Sequence, residues 1–470
     1  MCGIFAVFVS KNSLVIRRHS AGHYKESVHM NTIEMIKKKL DESIELLCDR
    51  SKLFLKHPER DFTRTRKLSF RSVISFLLSM EGGTLTTELL DHFGFSENTA
   101  SASAFVQQRG KIIPDAFHSL FDVFVEKTDS KKFYKGLRLL AADGSDIQIP
   151  CNPDHLDSYF PRGNGQSAYN LLHLDAMYDL LQHTYLDAMI MGSRSFDERR
   201  RLCTMVDRSK IEAALVIADR GYESYNLMAH IQEKGWRFLI RVRDIKKKNC
   251  LVAALDLPDT DTFDLSVDLS LTRKCDKKTK ELFKDRNHFR FVPSTSTFDF
   301  LPKEILREGV VFYNLSFRVV RFKITDDSYE TVVTNLDPVE FPPEELKNLY
   351  NMRWGIETSF RELKYTIGLL HFHAKKVEYI YQEVFARMIM YNFAELVTSA
   401  VIIQKTDTKY AYKANFTVAV HVCRQFLLGN VSPPIVEAVI HRHVSPIRPG
   451  RNAPRKTVVR HAVSFTYRIA

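Results

Sequence analysis

Apolar residues recur at helical spacing from about Lys25 to Glu126. Ile33, Ile36, Leu40, Ile44 and Leu47 mark one face of a helix over Asn31–Leu55. A second helix is predicted over Phe70–Met80, stopped by Gly82-Gly83. Thr84 can cap a third running to about His92, and Ser96–Gln108 reads as a fourth after the Gly94 turn. Short helices with Gly-containing turns suit a helix-turn-helix reader of DNA, with Gln107, Gln108, Arg109 and Lys111 as its contacts. A plain helical bundle has the same pattern.

The period changes at Gly136. Leu137–Ala142 is a short apolar strand that ends in an Asp143-Gly144 turn, with Ile147–Ile149 continuing beyond it. Leu171–Tyr178 and His183–Met191 read as strands, Phe196–Ser209 as a helix, and Glu212–Ala218 as an apolar strand ending at Asp219. Tyr222–Lys234 is helical again and Trp236–Val242 is a strand. The order β-β-β-α-β-α-β is the one a ribonuclease-H-like layer fold requires. Between 243 and 335 alternating runs at Phe263–Leu271, Val310–Phe322 and Glu330–Val333 predict a mostly β insertion. A long helix follows over Tyr379 to about Gln404. The expected fold is therefore α/β. Residues 1–24 form a disordered extension and 25–130 an all-α DNA-binding domain. The ribonuclease-H-like catalytic domain takes 131–242 and 336–404 around the β insertion at 243–335, and 405–470 form a helical region with a basic tail.

The stretch Phe341–Gly368 reads as one helix, opened by two prolines and closed by Gly368. At about 100° per residue, Leu349, Ile356, Phe360, Leu363 and Ile367 form an apolar stripe. Tyr350, Arg353, Glu357 and Lys364 form a polar row beside it. That row spans about 21 Å, enough to follow several phosphates of a nucleic acid strand. A solvated face laced with charge pairs is the competing reading.

Charge favours the nucleic acid. The formal net charge is +12, unevenly placed. Residues 141–240 hold 10 Lys and Arg against 14 Asp and Glu, while 341–470 hold 18 against 9. An acidic centre between basic arms suits a site that binds divalent cations while its surroundings grip a polyanion. The seven cysteines are scattered without a CxxC pair, which excludes a zinc or disulfide framework and fits a reducing cytoplasm. No apolar run reaches membrane length.

Asp143 and Asp219 each follow an apolar strand, where open α/β sheets place their sites. With Glu357 on a core-packed helix they make a carboxylate triad. Its hard oxygen donors suit two Mg²⁺ ions, with Mn²⁺ able to substitute, clamping an in-line phosphoryl displacement. Asp146 and Glu362 are the rival carboxylates. His371 and His373, beside Lys375 and Lys376, read as DNA contacts or helix caps rather than as a metal pair.

These residues carry a family resemblance. Tyr350, Arg353, Glu357 and Lys364, with their gaps of two, three and six residues, resemble the Tyr-Arg-Glu-Lys signature of DDE transposases of bacterial insertion sequences. ADGS at 142–145, ADRGY at 218–222, TNL at 334–336 and LHFHAKK at 370–376 extend the match. The resemblance implies a bacterial, nucleoid-associated enzyme for cut-and-paste transposition. It would cleave DNA at the terminal inverted repeats of an element and join the ends to target DNA, as a dimer on DNA. Asp143, Asp219 and Glu357 would be the catalytic metal ligands. Tyr350, Arg353 and Lys364 would hold phosphates near the scissile bond, and Lys375 and Lys376 are further candidate DNA contacts. The resemblance also raises base flipping onto an aromatic residue of the insertion, Tyr313, Phe317 or Tyr329. The alternatives are a nuclease on the same fold without strand transfer, and a DNA-binding protein that has lost catalysis.

Overall fold

The second and third helices begin where the sequence places them, whereas the fourth begins at Ala102 instead of Ser96 and the first at Gly22 instead of Asn31. In the computed structural model the described residues are 22–447, apart from 130–131, 162–166, 196, 244, 246–249, 304–308, 326–327, 402 and 404–409. Most of the expected extension at 1–24 and of the basic tail therefore lies outside them. The first five helices are α1 (Gly22–Asp49), α2 (Phe70–Ser79), α3 (Leu85–His92), α4 (Ala102–Arg109) and α5 (Asp115–Lys127). Ser69, Thr84 and Ser101 accept from the backbone N–H three residues on and so cap α2, α3 and α4. The periodic residues of α1, from Ile33 to Leu47, are all buried.

The chain then lays down β1 (Arg138–Ile149), β2 (Tyr159–Phe160), β3 (Tyr169–Asp179), β4 (Thr184–Gly192), α6 (Glu198–Arg208), β5 (Ala214–Ala218), α7 (Tyr225–Glu233) and β6 (Arg237–Arg241). After these come β7 (Phe263–Thr272), α8 (Lys277–Leu282), β8 (Phe289–Phe291), β9 (Tyr313–Thr325) and β10 (Ser328–Thr334). The strands join one ten-stranded sheet in the order β2-β3-β1-β5-β6-β10-β9-β7-β8, with β4 also paired to β3. β1 is antiparallel to β3 and parallel to β5, and β5 is parallel to β6. The segment expected as a β insertion does not stand apart. Its β10 pairs with β6 and prolongs the central sheet, because Val332 and Val333 offer a buried strand to that open edge.

The C-terminal part comprises α9 (Pro343–Met352), α10 (Trp354–Tyr365), α11 (Val377–Ala400), β11 (Tyr412–Ala414), α12 (Phe416–Leu427), α13 (Pro433–Arg442) and β12 (Val444–Pro446). The single helix expected over Phe341–Gly368 is two, broken at Arg353. There the backbone tightens: the Arg353 N–H donates to Tyr350 O and the Ile356 N–H to Arg353 O, both at 3.1 Å.

Two apolar cores cover the two sheet faces. On one, Leu139, Ala141, Ile147 and Ile149 of β1 pack with Ile356, Phe360 and Leu363 of α10, with α11 and with the N-terminal helices. On the other, Leu140 and Ala142 pack with α6 and α7. α11 is apolar on nearly every side and is buried accordingly. The N-terminal helices thus share a core with the sheet instead of forming a free-standing module.

Candidate active site

β1 and β5 end their parallel pairing at Ala142 opposite Ala218. Asp143 and Asp219 are the next residues on neighbouring strands. Asp143-Gly144 is not the turn expected from sequence: β1 runs on through it, with Asp143 opposite Ala176 of β3. Asp219 caps the short turn Arg220–Tyr222, its carboxylate accepting from the Gly221 N–H at 2.6 Å.

Alternation along β1 sends Asp143 to the face that α10 covers. Glu357, in the first turn of α10, meets it there through Arg353. The Arg353 guanidinium donates to Glu357 Oε1 at 2.7 Å and stands 4.0 Å from Asp143 Oδ2. Arg353 is 4% exposed, while Asp143 and Glu357 keep about a quarter of their side-chain surface, 25% and 27%. Burial pushes the Asp143 carboxyl up to about 6; Arg353 and the Gly144 N–H oppose this, while Glu357 and Asp219 add to it. Asp143 therefore feels the charge of both other carboxylates, from the place where the β1–β5 pairing stops.

Lys364 lies two helical turns beyond Glu357, and its ammonium donates to the Asp146 carbonyl at 2.8 Å. Two turns of helix cover about 10.5 Å, and the three residues from Asp143 to Asp146 about 10 Å of strand. α10 is thus matched to β1 at both ends. Burial holds the Lys364 ammonium below its usual value, against Asp146 and Asp143.

The Transposase DDE domain model matches residues 134–393, more than half of the chain and a span enclosing all three carboxylates. The chain belongs to the DDE transposases. Transposase InsG for insertion sequence element IS4 of Escherichia coli (strain K12) is 23% identical over 309 residues, 62% of this chain and 59% of that relative. The chain therefore spans less than two thirds of that relative's length. Among solved structures, the piggyBac transposase synaptic complex with hairpin DNA matches with a TM-score of 0.42 and 10% identity, over 88% of this chain and 82% of that one.

Several expected DNA contacts of this DDE transposase are otherwise engaged. Arg109 is buried, donating to Gln382 at 3.1 Å, Glu383 at 2.9 Å and the Tyr379 carbonyl at 2.9 Å, so it fastens α4 to α11 and cannot reach a phosphate. Gln108 is buried as well. Tyr350 is buried at the end of α9, its ring 5.6 Å from the Arg353 guanidinium; it supports that arginine and does not face a strand. Lys111 is half-buried, donating to Gln108 at 3.0 Å. Lys375 and Lys376 are exposed at the start of α11. The His373 ring, expected as a DNA contact or helix cap, is instead buried between Glu88 and Glu383. Phe317 is core, which removes it as a base-stacking surface.

Among the described residues, the ligand atoms that lie within 4.8 Å of one another belong to His173, Asp175 and Glu198, on the opposite face of the sheet. The sequence carries one signal for this cluster: His173 and Asp175 set among the apolar residues of β3.

Proposed function

We propose that this DDE transposase cuts DNA at the ends of an insertion element and joins the freed ends to a target, on a ribonuclease-H-like core. The observation that carries the reading is that Asp143 and Asp219 follow directly where the parallel pairing of β1 and β5 stops, beside Glu357 on the helix packed over β1. The order β4-β3-β1-β5-β6, with its first three strands antiparallel and its last three parallel, supports the fold assignment.

Asp143, Asp219 and Glu357 fit a divalent cation. All donors are carboxylate oxygens, partly open, and the repulsion that Asp143 feels from the other two is what a cation relieves. They would hold Mg²⁺, with Mn²⁺ as substitute. Bound there, the ions supply a more acidic water or 3′-hydroxyl and charge stabilisation of an in-line displacement. Arg353, buried between Asp143 and Glu357, turns a planar fork toward the acid cluster, suited to orienting a phosphate that enters it beside the scissile bond. Lys364 fixes the strand that carries Asp143 to the helix that carries Glu357. The partners are the element's terminal inverted repeats and the target DNA. Two ends must be handled together, so the complex is a dimer on DNA, in the bacterial cytoplasm at the nucleoid. No helix of the described residues is long and apolar enough to cross a membrane.

The test is Mg²⁺-dependent cleavage of DNA carrying the terminal repeats, wild type against Glu357→Gln. Loss of cleavage in the variant is expected, and equal cleavage by both proteins overturns the assignment. Pre-cut ends offered with target DNA separate a transposase from a nuclease: joining is expected, and hydrolysis alone would select the nuclease.

A further inference from the structure

We propose that His173 is a positioning residue that locks the two aspartate-bearing segments of the site together from the far face of the sheet. This rests on the reading of Asp143, Asp219 and Glu357 as the metal-holding set.

Side chains alternate along β1, so Gly144 and Asp146 face away from α10, toward His173 and Asp175 of β3. In the register of that pair, Asp146 lies opposite His173 and Gly144 opposite Asp175. Both nitrogens of the buried imidazole face carboxylates. Nδ1 lies 2.7 Å from Asp146 Oδ1, and Nε2 lies 3.2 Å from Glu198 Oε1 and 3.4 Å from Asp175 Oδ1. Glu198 opens α6, and its neighbour Arg199 donates to the Gly221 carbonyl at 2.9 Å. Gly221 in turn donates its N–H to Asp219. A continuous path therefore runs from the β1 segment of Asp143 through Asp146, His173 and α6 to the turn that orients Asp219. On the near face Lys364 holds the Asp146 carbonyl. Asp146 is thus clamped from both sides of the sheet, by a side chain on each.

Gly144 makes this possible. A Cβ there would lie 2.3 Å from His173 Nε2 and 3.1 Å from Asp175 Oδ1, so the imidazole rests on bare backbone one residue from Asp143. The cluster is built as an ion network rather than as a metal cage. Three carboxylates surround one imidazole, and Arg201 pairs with Asp175. A cation at His173, Asp175 and Glu198 would have to displace an imidazolium proton beside that guanidinium. Asp146, Asp175 and Glu198 together hold the imidazole in its charged form, which is the form with a donor for each side of the path.

The experiment uses the full chain. Mn²⁺ binding to the free protein, followed by electron paramagnetic resonance, is measured beside the Mg²⁺ dependence of end cleavage. For His173→Ala the expected result is about tenfold weaker Mn²⁺ binding, in line with the loss of a group that orients ligands. The Mg²⁺ needed for half-maximal cleavage should rise by the same factor, with the bound stoichiometry and the rate at saturating metal preserved. Gly144→Ala, which displaces the same ring, should act alike, and the double variant should be no worse than His173→Ala alone. Unchanged Mn²⁺ affinity in a folded His173→Ala protein overturns the proposal. So does loss of a bound equivalent, which would make His173 a ligand. If His173→Ala does not fold, His173→Gln, which keeps one donor nitrogen and replaces the other by an acceptor, decides by the same measurement. Failure of the underlying reading is separately visible, as Mn²⁺ binding that Asp143→Asn and Glu357→Gln leave untouched.

Discussion

Arg353 and Glu357 meet at 2.7 Å across one turn at the broken junction of α9 and α10, and the pair closes over Asp143. The guanidinium neutralises the oxygens that a divalent cation needs, while presenting the group that a phosphate needs. Its removal should split these effects. Arg353→Ala should bind Mn²⁺ several-fold more tightly in the free protein, because a cation is gone from beside the ligands. It should nonetheless cleave about a hundredfold more slowly, the scale for losing one preorganised donor to transition-state charge. Arg353→Lys restores charge without the fork and should recover only part of the rate. Metal titration and single-turnover cleavage on the same preparations test both.

Asp143 carries a cost in the folded protein. Its carboxyl, pushed up to about 6 by burial, holds its proton to higher pH when folded than when unfolded. The native state is therefore stabilised relative to the unfolded one at low pH, and loses that advantage as pH rises from about 4 to 6. Asp143→Asn keeps an acceptor for the Gly144 N–H without the charge. It should be more stable than wild type at pH 7.5 by about 2 kcal/mol in the absence of divalent ions, while cleavage falls by about a thousandfold or more, the several kcal/mol that metal chemistry supplies. Denaturant unfolding at pH 7.5 and pH 4 checks the sign, since the difference should vanish at the lower value.

Much of this site is legible in sequence because its parts are local. An apolar strand ending in Asp, twice, and a helix with an apolar stripe beside a polar row place Asp143, Asp219 and Glu357 without any long-range contact being known. Burial at the far end of a long-range contact is what sequence conceals. Arg109 sits among polar residues on a short helix, the composition of a DNA reader, yet its partners Gln382 and Glu383 are more than 270 residues away. Tyr350 falls in the polar row by angle, but the tightened turn at Arg353 and the packing of α9 draw it inside. The β insertion shows its strands by alternation, whereas its fusion to the edge of β6 depends on pairing that alternation does not encode.

Arg109 and the exposed lysines should accordingly separate stability from DNA binding. Arg109→Ala leaves Glu383 buried beside Arg387 and His373 alone, and should lower stability by about 3 kcal/mol, the lower end for breaking a buried ion pair. Lys375→Ala and Lys376→Ala should leave unfolding unchanged, weaken duplex binding and reduce its salt slope by about 1 each. Denaturant curves beside fluorescence-polarisation titrations at several salt concentrations check this. An unchanged unfolding midpoint for Arg109→Ala would contradict the fastening of α4 to α11.

His373 gives the same junction a dependence on pH. Its Nε2 lies 3.2 Å from Glu88 of α3 and 3.1 Å from the Gly83 carbonyl, and its backbone N–H donates to Glu383 of α11 at 3.0 Å. Burial acts against its charge, but Glu383 and Glu88 outweigh burial and raise the imidazole to about 9. The charged ring thus joins the N-terminal helices to the connector that follows α10. A raised histidine contributes its full stability below its unfolded value, near 6.5, and loses it as pH climbs through 9. The melting temperature should fall over that window, corresponding to a loss on the order of 2–3 kcal/mol. His373→Gln, which cannot carry the charge, should start lower and stay flat between pH 6.5 and 9.5. On the acid side Glu88 and Glu383 are both held below the ordinary carboxylate range and so stay charged beside the imidazolium. Wild type should therefore keep its advantage until those carboxyls protonate. Thermal melts of both proteins from pH 5 to 9.5 test the sign, and parallel curves across the alkaline window would exclude His373 as the titrating link.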